Sequence, residues 1–239
     1  MQEAISGIER MITSLIDSND PADLKRADLM SYWIKTYTRF INKENNFDPT
    51  KYISYSRGDV VKLDLGFRIG NEEGGLHYAV VVDNSNSKRS GTLTVIPLSS
   101  IRPGRKIHSS SVPIGKEVFT SIVSKHDKLQ KEIINQIEKN EKIVDSIIKS
   151  DEKASATQIE ELKQEIEISK KKLNELNKLK REILKMKKGS VALVSQITTI
   201  SKIRIYDPIY AHNVLYGIKV TPQALDAINE KLKELFIYM

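Results

Sequence analysis

Two groups within the stretch Arg57–Ser100 have side chains suited to chemistry: His77 and the adjacent pair Ser99-Ser100. An imidazole can move a proton near neutral pH, and a hydroxyl can donate to a phosphoryl oxygen. The four histidines (77, 108, 126 and 212) are scattered and there is no cysteine, so no zinc-ligand spacing, disulfide or thiolate chemistry is on offer. No Ser-His-Asp pattern is visible. The glycine-rich run before His77 is not followed by Gly-Lys-Ser/Thr, which excludes a phosphate-cradling P-loop.

The elements that must position these residues lie between Arg57 and Ser100. Val61, Leu63 and Leu65 alternate with Lys62 and Asp64, which predicts a strand over Arg57–Leu65. Gly66 to Gly75 holds four glycines and the acids Glu72-Glu73 and is expected to be a mobile loop. Leu76–Val82 is apolar apart from His77, as in a buried strand, and Thr92–Leu98 is the third strand. His77 then sits where the loop enters a strand, and Ser99-Ser100 where the third strand leaves the sheet. Arg57-Gly-Asp59, which opens the first strand, is read as structural.

Helical patterns surround this unit. Ile5, Ile8, Met11, Ile12, Leu15 and Ile16 define an amphipathic helix over 2–17. Asp20 and Pro21 start a second over 21–43, with Leu24, Ala27, Met30, Trp33, Ile34, Tyr37 and Ile41 on one face. Each face needs cover, from the β unit or from a second copy of the chain. Residues 116–188 contain 18 basic and 14 acidic residues with neither proline nor glycine. Ile159, Leu162, Ile166, Leu173, Leu176 and Ile183 recur every three or four residues, with Ser169 and Lys180 between them in the seam. The first half carries Ile122, Leu129, Ile133, Ile137, Val144 and Ile147, with Asn140 in its seam. A polar break at 150–157 predicts an antiparallel coiled-coil hairpin about 45 Å long. After Gly189, short strands are expected over 190–194 and 216–220, then a helix capped by Thr221 and started by Pro222, with Leu225, Ile228, Leu232, Leu235 and Phe236 facing the core. The resulting organisation is 1–50 for the N-terminal helices and linker, 51–115 for the first part of a β core, 116–188 for the inserted hairpin, and 189–239 for the rest of the core.

The chain has 239 residues and a formal net charge of +7, which leans towards a polyanionic partner. The end of the second hairpin arm is the most basic stretch, and Arg102, Arg105 and Lys106 precede the first arm; together they could hold phosphates. No apolar run is long enough for a membrane span and no signal-peptide pattern opens the chain, so it is read as cytoplasmic.

Several motifs in order make the chain resemble the MazF/PemK (Kid) family of toxin endoribonucleases. They are Arg57-Gly-Asp-Val-Val with Asp64-Leu65, Gly70-x-Glu72-x-Gly74-Gly75, Ala79-Val-Val-Val82, Ile96-Pro-Leu-Ser-Ser100, and Gly189-Ser-Val-Ala-Leu-Val-Ser-Gln196-x-x-Thr199-Ile200. The resemblance implies an α+β protein built on an SH3-like, partly open β barrel, usually a homodimer and partnered by an antitoxin. It further implies cleavage of single-stranded RNA with no metal or cofactor, through attack of a ribose 2′-hydroxyl. The family's arginine and threonine fall on His77 and Ser99, and its loop acid on Glu72. Arg57, Arg68, Ser100, Arg102, Arg105, Lys106, Gln196 and Thr199 are the residues expected to hold RNA. The family's proline is Tyr78 here, its acid before the glutamine is Ser195, and its basic residue two positions after the glutamine is Thr198. The site is therefore either rebuilt around histidine or has kept binding without catalysis.

Overall fold

The computed structural model describes residues 1–101, 104, 106–149 and 155–237. Its centre is an antiparallel sheet of β1 (Val60–Asp64), β2 (Leu76–Val81), β3 (Thr92–Ser100), β4 (Val112–Gly115), β5 (Ser190–Ala192), β6 (Thr198–Ser201) and β7 (Ile205–Asp207). The strand order is β4-β5-β3-β2-β1-β7, with β6 also paired to β3. The edge of β3 away from β2 is thus shared. Residues 92–95 pair with β6 and residues 98–100 with β5. The short stretch Val194–Gln196 bridges the two partners and passes beside Pro97, whose carbonyl accepts from the Leu193 N–H at 2.9 Å.

The period-two alternation of these strands sorts their side chains into two cores. Val61, Leu63, Leu65, Ala79, Val81, Leu93 and Val95 bury on one face. Val60, Val80, Val82, Ile96 and Leu98 bury on the other, against the helices. Ser99 and Ser100 do not leave the sheet as expected: they are its last rungs, opposite Val191 and Ser190. Residues 216–220 form no strand either. Only Asp59 and Lys219 make a bridge there, and the chain is held by Val60 N–H to the Ile218 carbonyl and Val220 N–H to the Gly58 carbonyl.

The helices are α1 (Gln2–Asp17), α2 (Pro21–Glu44), α3 (Glu117–Lys149), α4 (Ala156–Lys185) and α5 (Pro222–Phe236). The predicted caps are present. Asp20 accepts from the Ala22 N–H at 2.7 Å, and the Thr221 hydroxyl accepts from the Ala224 N–H at 3.2 Å. A capping box at Ser155 and Gln158 starts α4. The arms α3 and α4 are antiparallel. Glu132 pairs with Lys172 and Lys139 with Glu165, so advancing along one arm retreats along the other.

The hairpin is not an appendage added beside a finished core. Val118, Ile122 and Leu179, at its base, are 0%, 0% and 2% exposed and belong to the same cluster as β2, β3 and α5. Leu179, not Lys180, therefore takes the buried position near the base, and Lys180 is exposed. The expected register slips there because the arm must mate with the sheet as well as with α3. Further out, Ile137 and Ile166 are each 48% exposed. A polar clamp reinforces the base. The Glu182 carboxylate accepts from Lys62 Nζ on β1 and from the Tyr78 hydroxyl on β2. Burial alone would raise the Glu182 value, but those two donors outweigh it and hold the carboxyl below its usual range. Lys125 on α3 donates to the carbonyls of Asn213, Val214 and Tyr216 at 2.9–3.1 Å.

Candidate active site

The Gly66–Gly75 segment joins β1 to β2 and forms one wall of a groove of about 390 Å³. Expected to be mobile, it is instead tied at three places. At its neck, the Leu65 N–H donates to the Gly75 carbonyl at 2.9 Å and the Gly75 N–H to the Gly66 carbonyl at 2.8 Å. The buried Asp64 carboxylate accepts from the Gly66 N–H at 2.8 Å. On its far side Gln196 grips it twice: Oε1 accepts from the Glu73 N–H at 2.5 Å, and Nε2 donates to the Asn71 carbonyl at 3.2 Å. Glycine is required where the neck is tightest. A Cβ at Gly74 would lie 2.9 Å from the Gly66 carbonyl oxygen.

Helix α2 supports the outside of the same loop. Trp33 packs against Phe67, with ring centroids 6.4 Å apart, and its indole nitrogen comes so near Gly66 that a Cβ there would meet it at 2.9 Å. Arg204 reaches the Leu65 carbonyl at 3.1 Å. Helix α2 therefore covers part of the β unit, and the part it covers adjoins the groove.

His77 lies opposite Leu63 on the sheet face shared by Leu65 and Pro97, both of which line the groove. In the register that pairs Tyr78 with Leu98, Ser99 is the next residue across from His77. The two positions aligned with the family pair are thus neighbours on one face. His77 reaches the groove through Glu73, which lines it. The imidazole Nε2 meets Glu73 Oε1 at 2.5 Å, and its Nδ1 is buried without a hydrogen-bond partner. Burial pulls the His77 value down. The Glu73 carboxylate outweighs it, together with the carbonyls of Gly74 and Gly75, and holds the imidazole above the ordinary histidine value.

Glu73 is the residue that sequence reasoning passed over in favour of its neighbour. Glu73 lines the groove and touches His77. Glu72 also lines it, but its carboxylate is 59% exposed and pairs with Arg68 at 3.6 Å. The four-residue step from Glu73 to His77 was a usable signal, because the turn at Gly74-Gly75 folds the two side chains together.

The residues expected to hold RNA divide into groups. Arg68 and Gln196 line the groove, whereas Thr198 lines it in place of Thr199. Thr199 instead bonds Thr94 across β3 and β6 at 3.2 Å. The Arg57 guanidinium donates to the Val82 carbonyl and to Asn229 of α5, so it fastens the last helix to the sheet. Ser100 lies on the opposite face of β3 from Ser99, and Lys106 is exposed in the connection to β4. Arg102 and Arg105 lie outside the described residues. Among the described residues no helix is long and apolar enough to cross a membrane.

An antiparallel sheet whose glycine loop and cross-over segment wall a groove, with a histidine–carboxylate pair and an arginine at its edge, makes this a mixed α/β protein that gathers ionisable groups at one groove. Residues 56–170 match the family described as PemK-like, MazF-like toxin of type II toxin-antitoxin system. That match supports a divergent member of the MazF/PemK family. The match takes in β1 to β4, the first hairpin arm and about half of the second. No curated protein matches the chain.

Proposed function

We propose that this protein is the toxin component of a type II toxin–antitoxin system and an endoribonuclease that cuts single-stranded RNA in the cytoplasm without a metal ion. The observation that carries the reading is the His77–Glu73 contact at the edge of the groove, in a chain of this toxin family. Cleavage by the 2′-hydroxyl needs a proton acceptor, a proton donor and fixed donors for the phosphoryl oxygens. The His77–Glu73 pair shares a proton at the groove, Arg68 supplies fixed positive charge, and Ser99 supplies a hydroxyl on the same face. The products are a 2′,3′-cyclic phosphate and a 5′-hydroxyl. The sheet curls as an SH3-like, partly open barrel, the hairpin packs as a coiled coil, and the working form is a homodimer that an antitoxin neutralises.

Purified protein in EDTA should cut a single-stranded RNA transcript and leave cyclic-phosphate ends. His77→Ala should lower the rate on the order of 10²-fold or more. Rates that match wild type in His77→Ala would remove the histidine from the mechanism. A second reading has an observation of its own: with Nε2 occupied and Nδ1 buried, His77 presents no free nitrogen to a ligand. On that reading the groove binds RNA or protein without cutting, and the wild type retains RNA in a salt-dependent way with no cleavage.

A further inference from the structure

A second histidine, His108, is linked to the groove through two hydroxyls. Ser195, in the stretch that carries Gln196, lines the groove and is exposed. Its hydroxyl lies 3.1 Å from the hydroxyl of Ser110, which lies 2.8 Å from Nδ1 of His108. The Ser110 backbone N–H also points at that nitrogen, at 3.2 Å. This last contact gives the row a direction. An N–H can only donate, so the neutral imidazole must keep Nδ1 as an acceptor and carry its hydrogen on Nε2. Ser110 then donates to His108, and Ser195 donates to Ser110. The result is a one-way row of hydroxyls from the groove to an imidazole, set in the connection before β4 and far from His77 in sequence.

We propose that Ser195, Ser110 and His108 form a proton relay that draws the proton from the RNA 2′-hydroxyl, an inference that rests on the ribonuclease reading above. As the 2′-oxygen bonds to phosphorus, its proton passes to Ser195 Oγ. The Ser195 proton passes to Ser110 Oγ, and the Ser110 proton to His108 Nδ1, leaving an imidazolium. The bond from phosphorus to the 5′-oxygen breaks, and that oxygen takes the proton shared by Glu73 and His77. Ser195 is the group that touches substrate; His108 acts through it as a positioning residue and final acceptor. The charged side chains lining the groove beside Ser195 are Arg68, Glu72 and Glu73, and Lys106 stands two residues before His108.

The test uses the full chain on a single-stranded RNA transcript in EDTA, with wild type, His108→Ala, Ser110→Ala and Ser195→Ala compared across pH. Each substitution is at or near the surface, and thermal melts check that each variant folds as wild type does. Cleavage should fall on the order of 10²-fold in each. The acidic limb of the pH–rate profile should vanish in His108→Ala, and added imidazole should restore that variant but not Ser195→Ala. A purely structural role would not respond to imidazole. Wild-type cleavage that His108→Ala and Ser195→Ala leave unchanged overturns the relay and spares the ribonuclease reading. A wild type that cuts no RNA overturns both.

Discussion

Glu73 and His77 stand on either side of two consecutive glycines, and their side chains meet at 2.5 Å. The contact closes the end of the loop against the first residues of β2 and places a carboxylate at the groove. His77 is held above its ordinary value, so the sign of its linkage is fixed. The contact contributes fully to stability below the unfolded imidazole's value and loses that contribution as pH rises through the folded one. Glu73→Gln removes the main raising influence, so the midpoint of the imidazole should fall. An NMR titration of the His77 ring reads this directly, and an unchanged midpoint would break the pairing.

Gln196 should matter to the loop before it matters to any ligand. Its amide makes two bonds to the loop backbone, and Gln196→Ala removes both. At about 1 kcal/mol each, their loss should speed exchange of the Glu73 amide roughly tenfold or more. Hydrogen exchange resolved by residue provides the measurement, with the Val80 amide in β2 as the unaffected control.

Helix α2 should stabilise the loop from outside. Trp33→Ala removes the indole from Phe67 and from the backbone at Gly66 and should cost on the order of 2 kcal/mol. A urea midpoint that matched wild type would show that α2 only rests against the loop.

The hairpin separates into a base that is core and a shaft that is not. Deleting residues 117–187 strips Val118, Ile122 and Leu179 from the main cluster and should prevent cooperative folding. Excising 137–167, with a short turn joining Gln136 to Ile168, should leave a folded protein. Circular dichroism melts of both variants distinguish the two regions.

Glu182→Ala should destabilise by roughly 2–3 kcal/mol, since it leaves Lys62 and the Tyr78 hydroxyl without their shared acceptor. Because Glu182 is held below its usual range, its contribution is present above the unfolded carboxyl's value and lost as pH falls through the folded one. The stability gap between wild type and Glu182→Ala should therefore narrow in acid, as urea titrations at several pH values would record.

Local patterns were enough to read the helices, three strands and the glycine loop from the sequence. The alternation in β1, the apolar run of β2 and the caps at Asp20 and Thr221 act over a few residues, and the chain obeys them. The resemblance to the toxin family was legible for a related reason: its motifs lie in the turns and strand ends that the sheet needs. Tertiary packing decided what no local pattern encodes. Leu179 and not Lys180 is buried, because α4 must fit the sheet as well as α3. Arg57 fastens α5, because Asn229, 172 residues on, lies beside it. Glu73 rather than Glu72 meets the histidine, because Gln196 pins the loop backbone and fixes which acid turns inward. Ser195 and Ser110 come together because β4 and β5 pair across the hairpin. The sequence alone determined the helices, the first three strands and their order. The fold decided which ionisable groups meet, because hydrogen bonds and ion pairs act over a few ångströms in space whatever their separation along the chain.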